Sequence, residues 1–313
     1  MVLGETLTVA PPDDGSRLDV LVTGRFPSSS RALVREAIAC GDILVNGGAA
    51  AKGYRVRAGD TVSIATLYEA TDNTVRQDPS VVPQIVFDDG YLIGVNKPAG
   101  MPVQPLSPRE TGTLAGGMAA LRPELALVGN EPLIAGAVHR IDAGTSGLVV
   151  FAASNFVFAA MRGLFSLRKV EKTYLALVEG EVTRPGAVAC DLAHDPRAEH
   201  CHMIRFDSLS AAERAKTRPL FAETRFKPVG TICGRTLLEV GITTGVTHQI
   251  RSQLAMSGHP IAGDALYGGR PADGLIPPGA FCLHSLSASF NHPATDTPTV
   301  ISAPLPPWAA HNA

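Results

Sequence analysis

The chain has 313 residues, more than one domain usually holds, and 45% of them are hydrophobic, enough for a large core and a smaller one. Its formal charge of -2 excludes a global electrostatic pull toward nucleic acid, so any such binding would have to come from local clusters of Lys and Arg. Five scattered cysteines with no Cys-x-x-Cys pair argue against a disulfide framework or zinc knuckle and fit a reducing cytoplasm.

The opening Met1-Val2-Leu3-Gly4-Glu5-Thr6-Leu7 lacks the basic and apolar regions of a secretion signal and reads as a polar start. N-cap chemistry at Pro27-Ser28-Ser29-Ser30 precedes Leu33, Val34, Ala37 and Ile38 at helical spacing, which predicts a short amphipathic helix up to Gly41. Arg31 and Arg35, one turn apart, share its opposite, basic face. Ile43-Leu44-Val45 then meets the hairpin signal Asn46-Gly47, while Val56, Gly59-Asp60, Val62 and Ile64 predict a second turn and strand. The cations of this compact unit, Arg17, Arg25, Arg31, Arg35, Lys52, Arg55 and Arg57, are offset by Glu5, Asp13, Asp14, Asp19, Glu36, Asp42, Asp60 and Glu69. The unit carries no strong electrostatic anchor. Residues 69–83, polar and containing Asp72, Asn73, Asp78, Pro79 and Pro83, read as a linker.

A second domain begins near residue 84. Ile85-Val86-Phe87 and Leu92-Ile93-Gly94-Val95 flank Asp88-Asp89-Gly90, a strand, turn and strand ending at Asn96-Lys97-Pro98. Residues 148–161 are the most apolar stretch, but Ser154-Asn155 interrupts it and it falls short of the roughly 20 residues needed to cross a bilayer. It belongs in a core, with Leu148-Val149-Val150-Phe151 as a buried strand and the polar 142–147 loop at its edge. Asp142-Ala143-Gly144 alone is compatible with a turn whose carboxylate only bonds local amides. Tyr174 falls in a strand, facing with Ala176 and Val178. His194, His200, Cys201 and His202 are irregularly spaced and read as an exposed loop rather than a metal site. No Gly-rich phosphate loop implies a nucleotide cofactor. Thr247 as N-cap and Gly258 as stop place Arg251 early on a helix with Ile250 and Leu254 inward.

Residues 17–62, with Ser30-Arg31, Ile38, Gly41-Asp42 and Val45-Asn46-Gly47, resemble the RNA-binding module first known from small-subunit ribosomal protein four. That resemblance implies RNA contacts from Arg17, Arg31 and Arg35. The string His139-Arg140-Ile141-Asp142-Ala143-Gly144-Thr145-Ser146-Gly147-Leu148 resembles the signature of RluA-type pseudouridine synthases. Lys172-Thr173-Tyr174, then Thr244-Gly245-Val246-Thr247-His248-Gln249-Ile250-Arg251 and Gly258-His259-Pro260-Ile261-Ala262-Gly263-Asp264, follow in the family's order. Asn96-Lys97-Pro98, Leu283-His284-Ser285 and Phe290-Asn291-His292-Pro293 extend the match to most of residues 85–313.

The resemblance implies an α+β protein: a small module (1–68), a linker (69–83) and a catalytic domain (84–313) with a mixed, mainly antiparallel sheet flanked by helices. The implied reaction breaks the glycosidic bond of uridine, turns the uracil and rejoins its C5 to the ribose. It has no net redox change and needs no cofactor. Asp142 is the implied catalyst, either attacking the anomeric carbon or removing a ribose proton, with Arg251 as the cation that favours its charged form. By the same resemblance Tyr174 stacks on the uracil and takes or relays the C5 proton. Arg140 fills the stack left by a swung-out target nucleotide, and His139, Thr145 and His248 contact RNA. Val246 stands where the family usually has Arg, and Ser252-Gln253 where it has Val-His, which implies an altered target choice. The implied partner is large-subunit rRNA or a ribosome precursor, met by a cytoplasmic monomer without a membrane. A tRNA-directed synthase and a non-catalytic RNA-binding or ribosome-assembly protein are the alternatives.

Overall fold

The computed structural model of the chain describes residues 2–51, 53–69, 74–272 and 274–309, so Lys52, Asp72 and Asn73 of the sequence reading lie outside it. Two units emerge, Met1–Asn73 and Thr74–Ala313.

In the first unit, helix α2 (Arg31–Cys40) starts where the Ser30 hydroxyl accepts from the Leu33 amide and stops at Gly41, whose φ of 81° is left-handed. Strands β2 (Ile43–Val45) and β3 (Gly48–Ala49) are joined through Asn46 and Gly47 at φ 51° and 77°, the paired positive values a tight hairpin requires. Strand β4 (Thr61–Leu67) lies between β2 and β1 (Val2–Thr8). Two elements escape the sequence reading. Strand β1 is almost wholly exposed, so it carries no alternation, and helix α1 (Leu18–Arg25) begins at Arg17 without a side-chain cap. Leu18 and Val22 of α1, Val34 of α2, Ile43 of β2 and Ile64 of β4 close the small core.

The second unit is a ten-stranded sheet. Its strands are β5 (Gln84–Asp88), β6 (Leu92–Lys97), β7 (Ser146–Ala152), β8 (Glu171–Val178), β9 (Gly186–His194), β10 (Met203–Arg205), β11 (Leu220–Ile232), β12 (Arg235–Ile242), β13 (Leu283–Asn291) and β14 (Pro298–Ser302), and its helices are α3 (Leu114–Leu121), α4 (Asn155–Ser166), α5 (Ala211–Arg214) and α6 (Gln249–Met256). The order is β10-β9-β11-β12-β8-β13-β7-β6-β5, with β14 on β13, and β7–β13 is the parallel pair. The fold is thus the mixed, mainly antiparallel α+β arrangement that the sequence implies.

The apolar stretch at 148–161 is two elements. Strand β7 is buried, then the Ser154 hydroxyl accepts from the Val157 amide and starts α4, whose Val157, Phe158 and Met161 return to the core on β6 and β7. Residues 74–83 do not behave as a linker. Val75 packs on Ala115 and Ala119 of α3, and the Asp78 carboxylate accepts from the Ser80 and Gly112 amides at 3.1 and 2.7 Å. Polar composition suggested a free segment, but the Asp78 carboxylate and the Val75 side chain anchor it to the second unit.

Candidate active site

The parallel pair sets the site. His284 of β13 lies opposite Ser146 and Ser285 opposite Gly147 of β7, while on its other edge β13 sets Ser285 opposite Tyr174 of β8. The loop before β7 and the middle of β8 therefore open together. Gly147 has φ +105°, and a Cβ there would collide with the Ser285 backbone, so the close passage of β13 requires glycine. Thr145 N–H donates to the Asp142 carbonyl at 3.0 Å and closes the loop. The turn is thus held by main chain, and the Asp142 carboxylate is left for other partners.

Asp142, Arg140, Thr145, Tyr174, His248 and Arg251 line one cleft of about 110 Å³. Helix α6 starts one residue later than expected, because His248 rather than Thr247 is its N-cap, in a left-handed conformation at φ 52°. Ile250 and Leu254 are buried as expected. Arg251 is 7% exposed. Its Nε and Nη2 donate to both oxygens of Asp264 at 2.6 and 2.9 Å, which leaves Nη1 to donate to Asp142 Oδ2 at 3.0 Å. The guanidinium also lies 4.3 Å from the Phe281 ring centre. Burial works against its charge, but the bonds to Asp264 and Asp142 outweigh burial and its pKa is raised. A fixed cation therefore faces a carboxylate that keeps 28% of its side-chain surface open.

His248 Nδ1 is 3.0 Å from the Tyr267 hydroxyl, and Nε2 is 3.9 Å from Asp142 Oδ2. The same hydroxyl accepts from the Met203 amide at 2.9 Å, so Tyr267 ties the imidazole to the 203 segment and sets its Nε2 edge toward Asp142. Burial lowers the imidazole pKa and the Asp142 charge opposes the shift. His202 stacks on Tyr267 with ring centres 4.8 Å apart. His194, His200 and Cys201 are exposed, as expected of a loop, and only His202 is half-buried against Tyr267; among the described residues no group of three or more His, Cys, Asp or Glu could hold a metal ion. Tyr174 is 6% exposed, and burial pushes its phenol up to about 12. It stays protonated at neutral pH.

Residues 91–256 match the family described as RNA pseudouridylate synthase, and residues 16–62 match the S4 domain. The ribosomal large subunit pseudouridine synthase D of Xanthomonas campestris pv. campestris is 31% identical over 93% of this chain and 86% of its own length. The protein of the same name from Xylella fastidiosa is 32% identical over 96% and 88%. The chain belongs to the RluA-type RNA pseudouridine synthase family. Among solved structures, the human RNA Pseudouridylate Synthase Domain Containing 1 shares the fold, with a TM-score of 0.53 and 22% identity over 72% of this chain and 84% of that one.

Two further groups of this pseudouridine synthase have partners that the sequence does not show. His139 Nε2 accepts from the Val150 amide at 3.1 Å, and desolvation lowers its pKa to about 3. The ring is a neutral tie between the loop and β7 and does not line the cleft with Asp142. Val246, where a cation was expected, packs on the apolar cluster of Leu192, Met203 and Ala222. The half-buried side chain also lines the cleft, so the wall is apolar where a cation was expected. In the S4 domain, Arg17, Arg31 and Arg35 converge on Asp19, with Nε–oxygen distances of 2.9, 2.9 and 2.8 Å. Asp19 is more than the offsetting charge it seemed from sequence, since its carboxylate gathers three half-exposed guanidinium groups. The hydrogen bond from Arg17, joined by those from Arg31 and Arg35, holds its pKa far below the carboxylate range. A depressed acid contributes stability present above its unfolded value and lost as pH falls below about 4. Asp19→Asn is therefore expected to cost roughly 2 kcal/mol in urea unfolding at pH 7, and the gap from the native protein should narrow as pH is lowered through that range.

Three residues that support the site were not singled out from sequence. Asp264 fixes Arg251, and Tyr267 orients His248. Lys97 is fully buried, and its Nζ donates to the carbonyls of Pro98, Met101 and Ala143 at 2.9, 2.7 and 3.0 Å. Burial draws its pKa down to about 7 and the Asp142 charge opposes the shift. Three acceptors match the three N–H donors of the ammonium, so the charged form is the one this cage fits. Because Ala143 adjoins Asp142, Lys97 pins the loop. Lys97→Met strands those carbonyls, and we expect a loss of roughly 2–4 kcal/mol in urea unfolding, with turnover falling more than RNA affinity. Unchanged unfolding and turnover would show that the cage does not brace the loop.

Proposed function

We propose that this pseudouridine synthase modifies large-subunit rRNA, with Asp142 acting on the ribose C1′–N1 bond of a uridine swung out of its stack and Arg140 filling the gap. One observation carries the role of Asp142: its partly open carboxylate faces a guanidinium whose other two donors are held by Asp264. Such a cation orients the carboxylate and stays in place to balance charge as the reaction proceeds. During the reaction the N1–C1′ bond breaks, the C5–C1′ bond forms and the C5 proton leaves. Asp142 either attacks C1′ or removes a ribose proton, and both routes use the ionised form. Tyr174, a buried phenol held at about 12, suits stacking on the uracil better than removing its C5 proton. Arg140 is exposed, two residues before Asp142 in the cleft wall, which supports its entry into an RNA stack.

The rRNA target is supported by the relatives named as large-subunit pseudouridine synthases and by the S4 domain, whose Arg17, Arg31 and Arg35 cluster offers local positive charge to phosphates. We place the enzyme in the cytoplasm as a monomer; no helix among the described residues is long and apolar enough to cross a membrane. The test is tritium release from unmodified large-subunit rRNA labelled at uracil C5, paired with mapping of pseudouridine in RNA from cells with and without the gene. Release from that rRNA and a site lost with the gene are expected. Release from tRNA alone would overturn the target, and no release from either RNA would overturn the catalytic reading.

A further inference from the structure

Beside the cleft, the second unit holds a larger cavity of about 580 Å³, within the size range of small-ligand sites. It shares Arg140, Lys172, Gly245 and Val246 with the cleft of Asp142, so the two are continuous. Its wall also includes His139, with Arg162, Phe165 and Arg168 from the end of α4 and just beyond it and Phe221 from the start of β11. No lining residue is Asp or Glu, while Arg140, Arg162, Arg168 and Lys172 all are cations. Such one-sided charge attracts an anion.

The cations are unevenly engaged. Lys172 is 7% exposed, donates to the Thr244 carbonyl at 2.8 Å and stands 5.7 Å from the Phe165 ring centre. Burial draws its pKa down to about 8, and no carboxylate pairs with it among the described residues. A buried ammonium in that state gains from an incoming negative charge. Arg162 spends one donor on the Val138 carbonyl at 3.3 Å. Arg168 adopts φ 56°, uncommon for a large side chain, and its guanidinium lies 5.4 Å from the centre of the Phe221 ring, itself 45% exposed. A guanidinium on an exposed aromatic ring is the kind of platform on which a base stacks.

We propose that this cavity is a subsite for the nucleotide next to the target uridine in the same RNA strand. Its phosphate lies among Arg162, Arg168 and Lys172, and its base stacks on the Arg168–Phe221 pair. The inference rests on the reading of the adjoining cleft as the uridine site. It adds a contact that would choose among uridines by what flanks them.

The test uses the full chain carrying Asp142→Asn, so that turnover does not intervene, with a fluorescently labelled oligouridylate as probe. Phe221→Ala should weaken binding about tenfold, within the range for one lost base stack, and Phe221→Trp should restore it. Arg168→Gln and Arg162→Gln should each reduce the slope of log affinity against log salt by about 0.7, one phosphate contact on a single strand. Native affinity in Phe221→Ala, or native salt slopes in both arginine variants with the fold intact by thermal unfolding, would overturn the proposal. Tritium release by the otherwise native chain is measured in parallel. Release without these binding losses removes the subsite alone, and binding losses without release overturn the synthase reading and the target-adjacent role together, leaving an RNA-binding cavity with no target uridine beside it.

Discussion

In Asp142→Asn, tritium release from C5-labelled RNA is expected to fall at least about 10³-fold while RNA affinity stays within about twofold of native. The amide keeps the volume of the side chain, and its oxygen still accepts from Arg251 Nη1 in place of the 3.0 Å carboxylate contact. Arg251 keeps both bonds to Asp264, so no buried cation is left unpaired. The loop is closed by the Asp142 carbonyl, which the substitution leaves untouched. The change is therefore confined to charge. An amide neither attacks the anomeric carbon nor removes a ribose proton, so single-turnover measurements should show the loss in the chemical step. Release at the native rate would remove Asp142 from the reaction, since the next carboxylate, Asp264, is 2% exposed and already occupied.

Asp264→Ala should damage both the fold and the reaction. It leaves the 7% exposed Arg251 with one carboxylate, and stripping a partner from a buried pair costs about 3–5 kcal/mol. Urea unfolding reads that loss. The guanidinium then has three donor positions and Asp142 alone to serve them, so it should turn and draw that carboxylate out of the cleft. We expect turnover to drop more than about tenfold with RNA affinity nearly kept, because a misplaced reactive group costs rate before binding. Asp264→Asn, which keeps one acceptor, should fall between the two. Native stability and turnover in Asp264→Ala would show that Arg251 is braced by something else, such as the Phe281 ring at 4.3 Å.

The sequence marks what short-range hydrogen bonds decide. Ser30 and Gly41 bound α2 as read, and Asn46-Gly47 turns the hairpin as read, because each depends on atoms a few residues apart. Asp142, Tyr174, Arg251, Arg140, Thr145 and His248 meet in one cleft, where the ordered motifs grouped them. The sequence could not show what each group touches. His139 ties to the Val150 amide while lining the adjoining cavity, and Val246 packs on an apolar cluster while lining the cleft. Residues 74–83, polar by composition, were absorbed into the second unit because Asp78 spends its carboxylate on nearby amides.

By itself, then, the sequence determined the family, the reaction class, the mixed α+β fold and the local turns and caps, since these follow from motif order and from contacts between near neighbours. The tertiary structure alone decided the parallel pairing of β7 with β13, the cage of carbonyls on Lys97, and the division of Arg251 between Asp264 and the far more distant Asp142. The physical reason is reach: the Arg251–Asp142 contact joins residues 109 positions apart. No propensity or spacing encodes such a contact, which forms only when burial of the intervening strands and helices brings the two charges into one low-dielectric cleft.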